Sequence, residues 1–172
     1  MISIRQATIS DSVLIADLSR QTFYETFSPG NTKKDMDKFL HEQFTRGKLM
    51  LEVGKEENIF LLAYYGDEVA GYVKLRDGKK PASLNGIPSL EIARLYAVKS
   101  MIGKGVGSAL MQKCIDIATQ RKAKLLWLSV WEKNDRAQKF YTQWGFEKFD
   151  TCDFLLGDDI QLDWLMKKDL TG

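Results

Sequence analysis

The stretch from Ser89 to Arg121, SLEIARLYAVKSMIGKGVGSALMQKCIDIATQR, constrains the fold more than any other part of the chain. Leu90 to Val98 is rich in branched and aromatic residues and predicts a strand. A glycine-spaced turn follows, Ile102-Gly103-Lys104-Gly105-Val106-Gly107-Ser108. Beyond it Val106, Leu110, Cys114, Ile117 and Ala118 recur at helical spacing, which predicts an amphipathic helix. This layout leaves the first helical amides without intrahelical partners, at the positive end of the helix dipole. Glycine permits positive φ there and carries no Cβ to keep a phosphate off the backbone. Such a terminus binds anions, and Lys104 adds a point charge. A diphosphate suits it. The glycines run G-x-G-x-G, which fits neither the dinucleotide fingerprint nor the P-loop. Taken alone, the turn reads equally well as a tight connection with no ligand.

The chain's 172 residues, 44% of them hydrophobic, suit one globular domain with a sizeable core. No apolar run reaches the roughly 18 residues of a membrane span. The start, MISIRQATISD, lacks the apolar stretch of a signal peptide. A cytoplasmic location away from membranes is the expectation. Two cysteines make no disulfide framework: Cys114 lies on the apolar helical stripe, and Cys152 is either exposed or packed. One histidine, His41, and no clustered Cys/His spacing argue against a metal site. A net charge of +2 is too small to imply nucleic acid.

Read in order, Ile2 and Ile4 alternate with polar residues as a first strand. Thr8-x-x-Asp11 reads as a capping box for a helix to about Thr26, with Leu14, Ile15 and Leu18 inward. Ser28-Pro29-Gly30-Asn31 breaks it, Thr32-x-x-Asp35 opens a second helix, and a third covers Arg46 to Val53. Ile59–Tyr65 and Val69–Arg76 predict a hairpin, with Gly71 marking a bulge or a close backbone approach. Asp77 to Pro88 reads as a surface loop. Leu125–Trp131 is a strand covered on both faces, Asn134–Trp144 a helix, and Phe146–Leu156 and Gln161–Lys168 two closing strands. The pattern is one α/β domain over residues 1–172 with a mixed sheet. An exposed last strand offers an edge for a homodimer.

A second motif follows the strand that ends in WLSVWEKN: Asn134-x-x-Ala137-x-x-Phe140-Tyr141-x-x-x-Gly145-Phe146. Asn134 can cap the helix or reach a ligand amide, Ala137 leaves room beside it, and Tyr141 puts a hydroxyl two turns on. Taken alone, Tyr141 reads first as a packed core aromatic. The glycine turn and this segment, in this order, resemble motifs A and B of the GNAT N-acetyltransferases. Gly105 and Gly107 match motif A, written Gln/Arg-x-x-Gly-x-Gly/Ala, while Ile102 stands where that family has Gln or Arg. The resemblance implies a GNAT fold, with a mostly antiparallel mixed sheet flanked by helices. It also implies acetyl-CoA as co-substrate, with its pyrophosphate on the turn from Gly103 through Lys104, Gly105, Val106 and Gly107 to Ser108. Leu95, Tyr96 and Ala97 match the strand segment that receives the acetyl-pantetheine arm, Asn134 the pantetheine contact, and Tyr141 the acid that protonates the departing thiolate.

A closer likeness is to PaiA-like spermidine/spermine N-acetyltransferases of bacteria. LSRQTFYETF, SLEIARLY, WLSVWEKN and GDDIQLDWLMKKDL (Gly157, Asp158, Gln161, Asp163) carry it. It implies transfer to a primary amine of a polyamine, the alternatives being another amine or a non-catalytic CoA-binding module. An alkylamine with a pKa of about 10.4 must lose a proton before it attacks a thioester. Strict alternation sets Glu91, Ala93, Leu95 and Ala97 on one strand face and Leu90, Ile92, Arg94 and Tyr96 on the other. Glu91, a carboxylate in an otherwise apolar strand, is the candidate base, directly or through water. It can equally pair with Arg94 or another cation. Glu25, Glu42, Glu132, Asp153 and Asp158 are available to a polyamine, and Trp131 and Tyr24 could flank its alkyl chain.

Overall fold

The computed structural model describes residues 1–171. The chain runs β1 (Ile2–Gln6), α1 (Ser12–Phe27), α2 (Lys33–Glu42), α3 (Arg46–Glu52), β2 (Asn58–Tyr65), β3 (Glu68–Arg76) and β4 (Ser89–Ala97). It continues through α4 (Val106–Gln120), β5 (Leu125–Trp131), α5 (Asp135–Gln143), β6 (Glu147–Leu156) and β7 (Asp159–Asp169). Capping side chains mark these starts. The Thr8–Asp11 capping box, with the Thr8 amide donating to the Asp11 carboxylate at 2.8 Å, closes a short 3-10 turn over Ile9–Asp11. That turn leads into α1, whose own N-cap carries no side-chain bond. Thr32 Oγ1 accepts from the Asp35 amide at 3.1 Å to open α2.

The strands form one sheet in the order β1-β2-β3-β4-β5-β7-β6. Each neighbouring pair is antiparallel except β4 and β5. This is the mixed, mostly antiparallel sheet that the resemblance implies. The last strand is not an edge: β7 lies between β5 and β6, so a dimer built through a strand edge falls to β6 or β1. The β6–β7 hairpin folds the closing strand inward because β7 completes the ladder that β5 leaves open.

The largest core cluster holds Leu61, Leu62, Tyr72, Leu75, Leu110, Met111 and Leu126, all below 2% exposed. A second is aromatic: Phe23, Phe39 and Phe44 from the α1–α2 region stack at centroid distances of 4.6 to 5.4 Å. Cys114 is buried on the α4 stripe and Cys152 is exposed. No helix among the described residues is long and apolar enough to cross a membrane.

Two backbone features of β4 prepare the site. The β3–β4 register pairs Lys74 with Arg94 but Leu75 with Ile92, so Ala93 is an extra residue, a bulge. Tyr72, Lys74 and Arg76 alternate on one face of β3, and they stand opposite Tyr96, Arg94 and Glu91. The bulge therefore brings Glu91, Arg94 and Tyr96 to the same face, correcting the strict alternation read from the sequence. Second, β4 pairs with β5 only over Ser89–Glu91. Beyond Glu91 the two strands part.

Candidate active site

The gap between β4 and β5 opens into a cavity of about 730 Å³. Ile92 to Ala97 of β4 form one wall, with backbone groups that β5 no longer pairs. The glycine turn forms another through Ile102, Gly103, Gly105, Val106, Gly107 and Ser108. Gly103 and Gly105 hold φ of +85° and +86°, a conformation that L side chains rarely adopt. None of the amides of Gly103, Gly105, Val106, Gly107 or Ser108 donates to a described backbone carbonyl outside the regular elements. Those of Val106 to Ser108 open α4 and face no earlier helical carbonyl. This row of free donors at a 15-residue helix fits a diphosphate.

The α5 helix supplies Asn134, Ala137, Phe140 and Tyr141 to the same cavity. Asn134 Oδ1 caps the helix by accepting from the Ala137 amide at 3.2 Å, which leaves its Nδ2 donors for a ligand. Tyr141 is held edge-on by Phe140 and Phe146, with centroids 5.5 and 5.7 Å away. Its hydroxyl makes no hydrogen bond to another described residue, and burial pushes its pKa above the ordinary tyrosine value. At neutral pH it carries its proton.

The remaining walls are aromatic and polar. Phe23 and Phe27 come from α1, Phe39 from α2, Phe44 from the loop after it, Trp131 from β5 and Phe154 from β6. Trp131 packs on Phe27 at 5.6 Å. Gln161 and Asp163 of β7 complete the lining, and Gln161 Nε2 donates to Asn31 Oδ1, tying β7 to the α1–α2 connection. Asp163 stands directly opposite Trp131 on β5 and Cys152 on β6. Its carboxylate has no hydrogen-bond or ion-pair partner among the described residues, and burial pushes its pKa up to about 6. Arg94 reaches the lining too, with its charge met by Glu52 at 2.9 Å and its guanidinium over the Phe44 ring.

Leu95, Tyr96, Ala97, Gly103, Gly105, Val106, Gly107, Ser108, Asn134 and Tyr141 thus line one cavity. Two predicted residues do not. Lys104 is exposed and sits over the Tyr65 ring at 5.0 Å, because the turn points its side chain back toward β2. Glu91 is buried, but it accepts from Arg76 Nε at 2.8 Å and stands where β4 and β5 still pair, one residue before the lining begins. The pairing open in the sequence is with Arg76, not Arg94, since the bulge sets Arg76 opposite Glu91. Of the other acidic candidates, Asp158 pairs with Lys38 and Glu25 accepts from the Lys99 amide, while Tyr24 is 53% exposed. Sequence reasoning had left Asp163 and the phenylalanine walls without a role. The usable signal was the alternation Gln161, Asp163, Leu165, which sets a carboxylate on an inward face.

The model of the acetyltransferase (GNAT) family matches residues 17–146. The chain belongs to the GNAT family. Its relatives include an uncharacterized N-acetyltransferase of Lactobacillus delbrueckii subsp. lactis, 35% identical over 98% of both chains. The spermidine N(1)-acetyltransferase of Thermoplasma acidophilum is 22% identical, over 90% of this chain and 95% of its own. Among solved structures, the PaiA N-acetyltransferase of Thermoplasma acidophilum in complex with coenzyme A superposes with a TM-score of 0.79 at 21% identity. That match covers 98% of this chain and 99% of the other. As a GNAT acetyltransferase the protein is an acetyl-CoA-dependent acyltransferase, and acetyl-CoA is its co-substrate.

Proposed function

We propose that this GNAT enzyme acetylates a primary amine of a polyamine, spermidine or spermine, with Tyr141 as general acid. The observation that carries the acceptor reading is an unpaired carboxylate, Asp163, set among aromatic walls at the parting of β4 and β5. An ammonium group is drawn to the carboxylate, and the alkyl chain behind it packs on Trp131 and Phe27. A smaller recess of about 230 Å³ shares Trp131 and Gln161 with the main cavity, and carries Glu132, Asp153 and Asp159 against a single lysine, Lys133. A second ammonium of a polyamine suits that recess. The Thermoplasma spermidine acetyltransferase adds support from a distance.

In this reading the acetyl thioester lies along β4, where an unpaired backbone amide among Leu95, Tyr96 and Ala97 polarises its carbonyl. The pyrophosphate rests on the amides of Gly103 and Gly105–Ser108, which fixes the length of the pantetheine arm inside the cavity. Tyr141 donates to the sulfur as the carbon–sulfur bond breaks. Glu91, bound to Arg76 outside the lining, could reach the amine only through intervening water.

The phenylalanine walls favour a second reading, a monoamine on an apolar or aromatic body. Release of CoA thiol with spermidine, spermine, short alkylamines and arylalkylamines separates the two. Highest kcat/KM for the polyamines supports the first reading, and highest kcat/KM for arylalkylamines replaces it with the second.

A further inference from the structure

We propose that Asp163 is the general base of the transfer, taking the proton from the acceptor ammonium in place of Glu91. The inference deepens the reading above and rests on its amine acceptor, though not on that amine being a polyamine.

Three independent features of the fold point to Asp163. Its position in the ladder is at the widening of the sheet, opposite Trp131, the last residue of β5 and itself part of the cavity wall. Its carboxylate is unpaired among the described residues, whereas Glu91 has one oxygen already taken by Arg76. And it shares the cavity with the acid: Tyr96, Tyr141 and Asp163 all line it, and both of the other groups are near enough to act on the Tyr96 hydroxyl. A base on the acceptor side and an acid on the thioester side are what the transfer needs.

Burial supports the assignment. It pushes the Asp163 pKa up to about 6, so the group is ionised at neutral pH yet basic enough to hold a proton briefly. Cys152 of β6 stands opposite it, with Asp150 and Glu91 near that cysteine, while Asp153 alternates to the other face. The titratable groups sharing its cavity are Arg94 and Tyr96 from β4 and Arg136 and Tyr141 from α5. The residues that α1 and α2 bring to the cavity are uncharged.

The step balances as follows. The ammonium gives its first proton to the Asp163 carboxylate, which later releases it to water. The neutral nitrogen attacks the thioester carbon, and a carbon–nitrogen bond forms. As the adduct collapses, the carbon–sulfur bond breaks and Tyr141 hands its proton to sulfur. The adduct nitrogen loses its second proton, which restores the Tyr141 phenol. One proton leaves the site for each amide made.

The test is Asp163→Asn, assayed across pH with whichever amine the wild-type enzyme turns over best. The expected result is a fall in kcat of about 10²-fold or more, with unchanged acetyl-CoA affinity and loss of the acid limb near pH 6. Residual turnover should then climb steadily with pH, since only amine deprotonated in solution reacts. Asp163→Glu should recover part of the rate and restore an acid limb. An Asp163→Asn enzyme with wild-type kcat and acid limb overturns the proposal. So does a loss confined to KM for the amine, which marks an anchor and not a base. Glu91→Gln is run beside it, and loss of the limb there with retention in Asp163→Asn returns the base to Glu91. Failure of the polyamine reading shows separately, as a wild-type preference for another amine.

Discussion

The carbonyl oxygen of Tyr96 lies so close over the bare α carbon of Gly71 that a β carbon there would collide with it. The contact locks the end of β3 under the β4 segment that lines the cavity. It also accompanies a second irregularity, since the β2–β3 register skips Ala70 between Val69 and Gly71. Gly71→Ala is expected to destabilise the protein by about 1–3 kcal/mol, the cost of overpacking against backbone that cannot yield. For a domain of this size each kcal/mol lowers Tm by roughly 2–4 °C. Because Tyr96 and Ala97 shift with the clash, kcat should fall as well. A Tm and kcat equal to wild type would show that β4 yields freely.

Tyr141→Phe keeps the ring packing against Phe140 and Phe146 and removes only the hydroxyl. We expect kcat to drop about 10²-fold or more, while acetyl-CoA binds within about twofold of wild type by calorimetry, a difference under 1 kcal/mol. Since burial raises the Tyr141 pKa, the wild-type profile should show no basic limb from it in the ordinary tyrosine range. Unchanged turnover would remove Tyr141 from the chemistry.

Asp163 should also leave a mark on stability. Its pKa rises from 3.8 in the unfolded chain to about 6 in the fold. Between those values the folded protein holds a proton that the unfolded chain has released, so stability falls as pH rises through that window and is flat above it. With allowance for partial exposure, the ionised carboxylate costs about 1–2 kcal/mol at pH 7.5. Asp163→Asn is therefore expected to raise Tm at pH 7.5 and to leave it near wild type at pH 4. Thermal melts at both pH values decide it. A variant less stable at pH 7.5 would mean the carboxylate is paired.

Beside the cavity, Glu52 of α3 meets two β-strand cations, Arg94 at 2.9 Å and Lys74 at 3.3 Å. Burial, together with the nearby Arg94, lowers the Lys74 pKa to about 8. Burial works against the Glu52 charge too, yet the two cations hold its pKa below the usual carboxylate value. Glu52→Gln leaves both cations in a poorly solvated site and should cost about 2–3 kcal/mol. Adding Lys74→Met should recover part of that loss by removing one stranded charge. Denaturant unfolding of the two variants checks this. A cost below about 0.5 kcal/mol, the range of an ordinary surface change, would mean water already screens the cluster.

Element identity was legible because it rests on local rules. Thr32 and Asn134 start their helices by capping, Thr8 caps the 3-10 turn that leads into α1, and the apolar stripe from Val106 to Ala118 sets the face of α4. An anion-binding turn follows from the chain's own geometry, since free amides open a helix, whereas the rest of the cavity's cofactor side, Leu95–Ala97 and Asn134–Tyr141, was legible through the resemblance to the GNAT motifs. The acceptor side depends on long-range register, which no local pattern carries. One extra residue at Ala93 turns Arg94 and Tyr96 to the side of Glu91 and sets Arg76 against that carboxylate. Likewise β7 enters between β5 and β6, which brings Asp163 from near the end of the chain to the parting of the central strands. Periodicity can say that a carboxylate lies on a strand, but only the pairing of strands distant in sequence decides whether it meets an arginine or a substrate.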